Sequence, residues 1–264
     1  MGNPPIHRAR KRFGQNFLQD ETVISGIVRA INPKKDEAIV EIGPGLGALT
    51  QPLLEQTGRL AVVELDRDLI PYLKANCLTR GELTVHEADA LKFDFSTLAQ
   101  PQQLLRIVGN LPYNISTPLI FHLLESASVI QDMHFMLQLE VVNRLAAEPG
   151  SKTYGRLSVI TQYYCQVQKL FEVGREAFSP TPKVSSAIVR LTPYVEPPVD
   201  VGNLSAFAKL VTAAFAQRRK TLRNTLKSCL SETEIEKAGV DPGNRAEQLS
   251  LSAFASLSRA TQSR

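Results

Sequence analysis

Asn110-Leu111-Pro112-Tyr113 places a side-chain amide, a proline-restrained turn and an aromatic ring in one short segment. Such a segment suits one demanding reaction, methylation of the exocyclic amine of a nucleic-acid base. The lone pair of an adenine N6 amine is delocalised into the ring, so the nitrogen is a poor nucleophile. It attacks a methyl sulfonium only as it becomes more tetrahedral and its lone pair turns toward the leaving sulfur. Two acceptors aimed at its N–H bonds favour that geometry. The side-chain oxygen of Asn110 and the backbone carbonyl of Leu111 or Pro112 suit the task, because proline holds the turn in a fixed orientation. Tyr113 offers a face on which an unpaired or flipped base can stack. No strongly basic side chain is required, since the nitrogen can lose its proton after transfer. The alternative for these residues is a proline turn with a core tyrosine.

Those groups need a scaffold that delivers them to a common crevice. Asp20 can cap a helix whose Val23, Ile24, Ile27, Val28 and Ile31 share one face. After Pro33, residues 38–42 form an apolar run that ends in Gly43-Pro44-Gly45-Leu46-Gly47, followed by a helical pattern through Leu53 and Leu54. Residues 60–65 read as a second strand, with a helix around Leu69 to Leu73. Further strands are predicted at 83–86, 105–108 and 135–139, the last after a helix near Leu119 to Leu124. Strands alternating with helices predict an α/β fold with a parallel sheet wrapped on both faces. Ligands of such sheets bind at the carboxyl ends of the strands, near the topological switch point.

The glycine loop occupies that place on the first strand. Glycines at Gly43 and Gly45 permit a tight turn and let a ligand approach the backbone. Glu64 ends the second strand, where a carboxylate can accept from both ribose hydroxyls of an adenosine moiety. Asp66 is expected to face away and to start the next helix. Asp89, past the third strand, could accept from an adenine amine, with Ala90 supplying a backbone contact. Taken singly, these are a tight turn, surface charges or caps. In succession at strand ends they predict an adenosine site, without separating NAD from S-adenosylmethionine. The Asn110 segment makes that separation. An NAD-dependent oxidoreductase is also disfavoured by GxGxG in place of GxGxxG and by the lack of an evident hydride-transfer acid or base.

Composition changes near Pro193, where a proline-rich stretch reads as a linker. Residues 1–193 are predicted to form the α/β domain with a basic N-terminal arm, and residues 194–264 a small all-α domain. The net charge is only +4, yet basic residues crowd Arg10, Lys11 and Arg12 and again Arg218, Arg219, Lys220, Arg223 and Lys227. Two basic patches on a near-neutral body point to a polyanionic partner, the alternative for either patch being a solvated charge run. Val211, Phe215, Leu222 and Leu226 form a packing stripe, beside which Arg219, Arg223 and Lys227 follow helical spacing, so one basic helix is predicted. It would present cations to RNA phosphates. Cys77, Cys165 and Cys229 are odd in number and far apart, which disfavours disulfides or a zinc site and fits a reducing compartment. No apolar run is long enough for a membrane span, and no secretory h-region follows the basic arm. A cytoplasmic location with no metal is expected.

Motifs matching in order from about residue 8 to residue 227 closely resemble the bacterial small-subunit (16S) rRNA adenine N6,N6-dimethyltransferases. Phe13 to Leu18 is similar to the family's N-terminal cofactor motif, which implies that Asn16 and Leu18 contact the cofactor. Gly43, Glu64 and Asp89 fall on its glycine-loop, ribose and adenine positions. Asn110 to Tyr113, continuing through Pro118, matches its catalytic segment, and residues 178–184 a late motif whose Phe178 lies at the target-base pocket. Read from the residues alone, Phe178 is a stacking face opposite Tyr113, stiffened by Pro180 and Pro182, or a core phenylalanine. Residues 216–223 resemble the family's C-terminal basic helix. The resemblance implies a Rossmann-like sheet, S-adenosyl-L-methionine as donor, and two adjacent adenines near the 3′ end of small-subunit rRNA as target. It implies action on an immature subunit, and a monomer is expected. The alternatives are a resistance methyltransferase of large-subunit rRNA adenine and an assembly factor that keeps the fold as an RNA-binding scaffold.

Overall fold

Asp20 caps the first helix as its position predicts, its carboxylate accepting from the backbone N–H groups of Thr22 and Val23 at 2.8 and 3.0 Å. The structure, a computed structural model, describes residues 16–262. Arg10, Lys11 and Arg12 lie outside the described residues, as do Phe13 to Gln15 of the N-terminal motif. In chain order the elements begin with β1 (Phe17–Leu18), α1 (Glu21–Ile31), β2 (Ile39–Ile42), α2 (Thr50–Thr57), β3 (Arg59–Glu64), α3 (Ile70–Cys77) and β4 (Glu82–Glu87). Next come β5 (Leu105–Asn110), α4 (Ser116–Glu125), β6 (Ile130–Gln138), α5 (Leu139–Leu145), α6 (Arg156–Tyr164), β7 (Cys165–Val173), β8 (Phe178–Ser179) and β9 (Ser186–Pro193). The chain ends in α7 (Leu204–Ala214), α8 (Leu222–Thr225), α9 (Glu232–Lys237) and α10 (Leu251–Ala260).

The main sheet has the order β4-β3-β2-β5-β6-β9-β7. Strands β2 to β6 pair in parallel, and β9 runs antiparallel to β6. Ile39, Val40 and Ile42, Val62 and Val63, and Ile107 and Val108 are buried, as continuous apolar runs in a parallel sheet require. Buried residues of α1, α2 and α3 join these strands in one core cluster. The switch point falls between β2 and β5, since β3 and β4 extend the sheet one way and β6 the other.

Strand β6 begins five residues earlier than hydrophobicity suggests, and Leu139 already belongs to α5. Its first half is hidden by charge. The Arg106 guanidinium donates to both carboxylate oxygens of Asp132 at 2.9 to 3.2 Å, to Glu37 at 2.7 Å and to the Ile31 carbonyl at 2.6 Å. Burial would raise the Asp132 carboxyl, but the His134 ring at 3.6 Å and the Arg106 guanidinium hold it below its ordinary value. Across β6, Arg190 donates to Nε2 of His134 at 3.1 Å.

The chain divides into two compact units, one of residues up to Val142 with Gln168–Pro193, the other of Asn143–Val167 with Tyr194 onward. The second unit is therefore more than the segment after the proline-rich stretch, because it takes α6 from the middle of the chain. Tyr163 of α6 packs on Phe207 of α7, ring centroids 5.1 Å apart, and the Gly150 N–H donates to the Glu247 carbonyl at 2.6 Å. The single basic helix expected near residues 211–227 is also absent. Helix α7 ends at Ala214, the chain turns, and Thr221 opens α8 in an extended conformation. The N–H groups of Leu222 and Arg223 bond instead to the carbonyls of Asn244 and Pro242, at 2.8 and 3.1 Å. Val211, Leu222 and Leu226 are nonetheless buried and Phe215 half-buried, so the packing stripe survives the break. Among the described residues, no helix is long and apolar enough to cross a membrane.

Candidate active site

At the end of β2 the chain turns through Gly43, Gly45 and Gly47 at φ 66, 58 and 95°, a region that favours glycine. The Gly43 N–H donates to the Val63 carbonyl at 2.9 Å, which fastens this loop to the end of β3. Glu64 closes β3, 6% exposed, with one carboxylate oxygen accepting from the Asp66 N–H at 2.7 Å and the other from the Gly45 N–H at 3.3 Å. Burial raises its carboxyl above the ordinary range, and the backbone donors offset only part of that rise. Glu41 lies deeper, fully buried, with its carboxyl 2.6 Å from the Thr50 hydroxyl. Burial pushes it up to about 8, the Thr50 bond lowering it and the nearby Glu64 charge adding to the rise. Among the described residues, no cation pairs with either carboxylate. Asp66 does not face away, for it is buried and lines the same cleft as Glu64, but it does open the turn into α3. Its carboxylate accepts from the Asp68 N–H at 3.3 Å and its carbonyl from the Leu69 N–H at 2.9 Å, Leu69 being the residue that precedes the helix. Asp89 accepts from the Leu91 N–H at 3.0 Å, which fixes its turn beside Ala90.

Asn110 is the last residue of β5, next to the glycine loop because β5 and β2 pair directly. Gly109 makes that proximity possible, since a Cβ there would stand 2.6 Å from the Ile42 carbonyl oxygen. The Asn110 side-chain nitrogen donates to the Asn16 carbonyl at 3.3 Å, so Oδ1 is its remaining polar end. The Pro112 carbonyl accepts from the Ile115 N–H at 3.2 Å within the turn, which leaves the Leu111 carbonyl as the better-placed second acceptor. Leu111 is buried, its N–H bonded to the Met136 carbonyl at 3.2 Å. Tyr113 is half-buried rather than a core residue, and its hydroxyl lies 3.1 Å from the Ser186 hydroxyl.

Phe178 reaches the site through a pairing invisible in the sequence. Strand β8 runs antiparallel to β1 with Leu18 opposite Phe178, and the Gln19 N–H donates to the Ala177 carbonyl at 2.9 Å. Phe178 belongs to the buried core cluster and also lines the cleft, so the two readings of it coexist. Asn16, Leu18, Gly43, Gly45, Glu64, Asp89, Ala90, Asn110 to Tyr113 and Phe178 all line one cleft of about 1260 Å³. Glu41, Phe17 and Leu65 line it too and were missed from sequence. Leu65 is 53% exposed directly after Glu64, but in the sequence it is only the last residue of the apolar run at 60–65, which carries no signal of that exposure. Phe17 and Glu41 resembled ordinary strand and core residues.

The cleft fits S-adenosylmethionine. It offers a buried carboxylate held by backbone donors, open backbone at Gly43, an exposed apolar side chain and, among the described residues, no cation paired with its buried carboxylates, an environment suited to a sulfonium. The fold and the site together define a Rossmann-like, S-adenosylmethionine-dependent methyltransferase. The family model described as Ribosomal RNA adenine dimethylase matches residues 6–263, and the chain belongs to that family. It is 60% identical over 252 residues to Ribosomal RNA small subunit methyltransferase A of Saccharophagus degradans, covering 96% of this chain and 94% of that protein. Among solved structures, a dimethyladenosine transferase from Plasmodium falciparum superposes with a TM-score of 0.79 at 27% identity, covering 91% of this chain and 95% of that one. The 23S rRNA methyltransferase ErmE gives 0.72 at 25% identity, covering 94% of this chain and 100% of that one.

The basic residues of the second unit differ in availability. Arg218 is engaged, donating to Glu247 at 3.2 and 3.4 Å and to the Lys152 carbonyl. Arg223 lies 3.5 Å from Glu232, whereas Arg219, Lys220 and Lys227 are exposed.

Proposed function

We propose that the chain transfers methyl groups from S-adenosylmethionine to N6 of two adjacent adenines near the 3′ end of small-subunit (16S) rRNA, forming N6,N6-dimethyladenosine during subunit maturation. The observation that carries this reading is Asn110 at the switch point, its amide nitrogen engaged by the Asn16 carbonyl beside the glycine loop. The 60% identity to a small-subunit enzyme, against 25% to a 23S enzyme, supports the small-subunit target.

In this reading Asn16, Leu18, Gly43 and Gly45 line the donor's seat, Glu64 accepts from its ribose hydroxyls, and Asp89 with Ala90 meets its adenine. Leu65 supplies an apolar wall. When bound, the donor supplies an electrophilic methyl group on a sulfonium. Oδ1 of Asn110 and the Leu111 carbonyl accept from the N6 amine of the target, drawing its lone pair out of conjugation. Tyr113 and Phe178 flank the base, and Pro112 fixes the turn. After one transfer N6 keeps a single N–H, which Asn110 still serves, while Leu111 and Phe178 shape space for the first methyl. Arg219, Lys220, Arg223 and Lys227, with Arg10, Lys11 and Arg12 of the arm, contact RNA phosphates. Arg218 is committed to Glu247 and the Lys152 carbonyl and is less available to RNA. The enzyme works as a cytoplasmic monomer on an immature subunit.

The test is to incubate the protein and S-adenosylmethionine with unmethylated small subunits and map N6,N6-dimethyladenosine by mass spectrometry. Two adjacent dimethylated adenines near the 3′ end are expected. Modification confined to large-subunit rRNA, or none, would contradict the proposal.

A further inference from the structure

Residues 16–19 all line the cleft, yet no role above uses the ring of Phe17. That ring lies on the glycine loop, since a Cβ at Gly45 would stand 3.4 Å from its Cδ1 and Cε1 atoms. On one side of it the Asn16 carbonyl takes the Asn110 amide nitrogen at 3.3 Å. On the other, Leu18 stands opposite Phe178, and the Gln19 N–H is bonded to the Ala177 carbonyl.

The Asn110 amide has a donor end and an acceptor end, and only the acceptor end can meet an amine N–H. Rotation about the last side-chain bond would exchange them, setting N–H against N–H. A backbone carbonyl is purely an acceptor, so the one at Asn16 selects the productive orientation. Its own position is set from both sides, by the short β1–β8 pair and by the seat of Phe17 on Gly45. The ring is the part of this anchor that can be removed without deleting a hydrogen-bonding group.

We infer that Phe17 is a positioning residue for methyl transfer: seated on Gly45, it holds the Asn16 carbonyl against the Asn110 amide nitrogen and so keeps Oδ1 as the acceptor for the target amine. The inference rests on the proposed catalytic role of Asn110. It also couples the two halves of the site, because the loop that seats the donor sets the aim of the group that receives the amine.

A two-by-two set of Phe17→Ala and Asn110→Ala variants tests it, by single-turnover methyl transfer to unmethylated small subunits at saturating S-adenosylmethionine. Phe17→Ala should slow transfer by roughly 10- to 100-fold, the scale of a misaligned reactive group. Phe17→Leu, which keeps an apolar seat, should recover most of that rate. In the Asn110→Ala background, Phe17→Ala should add no further loss, since the group it positions is gone. Penalties that multiply in the double variant overturn the inference while leaving Asn110 catalytic. So does a Phe17→Ala defect that vanishes at saturating donor. Normal transfer by Asn110→Ala alone overturns the catalytic role and this inference with it.

Discussion

At the amino ends of β5 and β6, Arg106 is buried against Asp132 and Glu37, each charge answered by its opposite. At the carboxyl ends of β2 and β3, Glu41 and Glu64 are buried with backbone and hydroxyl donors but, among the described residues, no cation. The same sheet thus holds one carboxyl below its ordinary value and two above theirs. The first arrangement is self-sufficient and serves folding, though replacing one partner leaves the other buried and unpaired. The second is incomplete among the described residues, and a ligand that brings positive charge, as the proposed donor does, would complete it.

Breaking the self-sufficient end should have the largest effect on stability. Asp132→Ala leaves Arg106 with Glu37 as its one carboxylate partner beside the Ile31 carbonyl and should cost about 3 kcal/mol in urea unfolding at pH 7, with donor affinity unchanged. The Asp132 carboxyl is lowered in the folded state, so its stabilisation is present above the unfolded carboxyl value and is lost as pH falls through the folded one. The acid limb of the stability curve should accordingly be shallower in the variant. A loss under roughly 0.5 kcal/mol would mean that this end is not holding the sheet.

The incomplete end should respond in the opposite sense. With the folded Glu41 carboxyl at about 8 against an ordinary value of 4.5, the folded chain keeps a proton that the unfolded chain has lost between those values. Stability therefore falls as pH rises through that window. Glu41→Gln removes this exchange, and its advantage over the parent in donor-free protein should grow by on the order of a few kcal/mol between pH 5 and pH 8. Unfolding free energies that differ by a constant across that range would remove the distinction between the two ends.

How much of this contrast could be read from sequence depends on what kind of signal each end leaves. The carboxyl ends were legible, because the glycine loop, Glu64, Asp89 and Asn110 each follow a segment that reads as a strand. Strand order then brings them to one cleft. The amino ends were not, because Asp132 and His134 interrupt the apolar pattern of β6, and only the fold supplies the Arg106 and Arg190 that explain them. The pairing of β1 with β8 was hidden for a related reason, being two residues long and joining segments about 160 residues apart. In the second unit, periodicity through Val211, Phe215, Leu222 and Leu226 predicted one helix because both segments bury the same stripe. The intervening turn depends on long-range bonds from Leu222 and Arg223 to the 242–244 loop, to which local pattern is blind.

A smaller effect is expected on the basic surface. Charge reversal at Arg219 and Arg223 should weaken RNA binding and lower the slope of log affinity against log salt by about one for each phosphate no longer neutralised. Arg219 should matter more, because Arg223 already faces Glu232. An unchanged salt series would remove both from the RNA interface.

The most direct test of the central claim is Asn110→Ala, comparing S-adenosylmethionine affinity by calorimetry with single-turnover methyl transfer at saturating donor. Methyl transfer should fall by about 100- to 1000-fold, the scale of a lost transition-state acceptor, with donor affinity changed by no more than roughly threefold. Equal losses of binding and transfer, or transfer at the parent rate, would contradict the account.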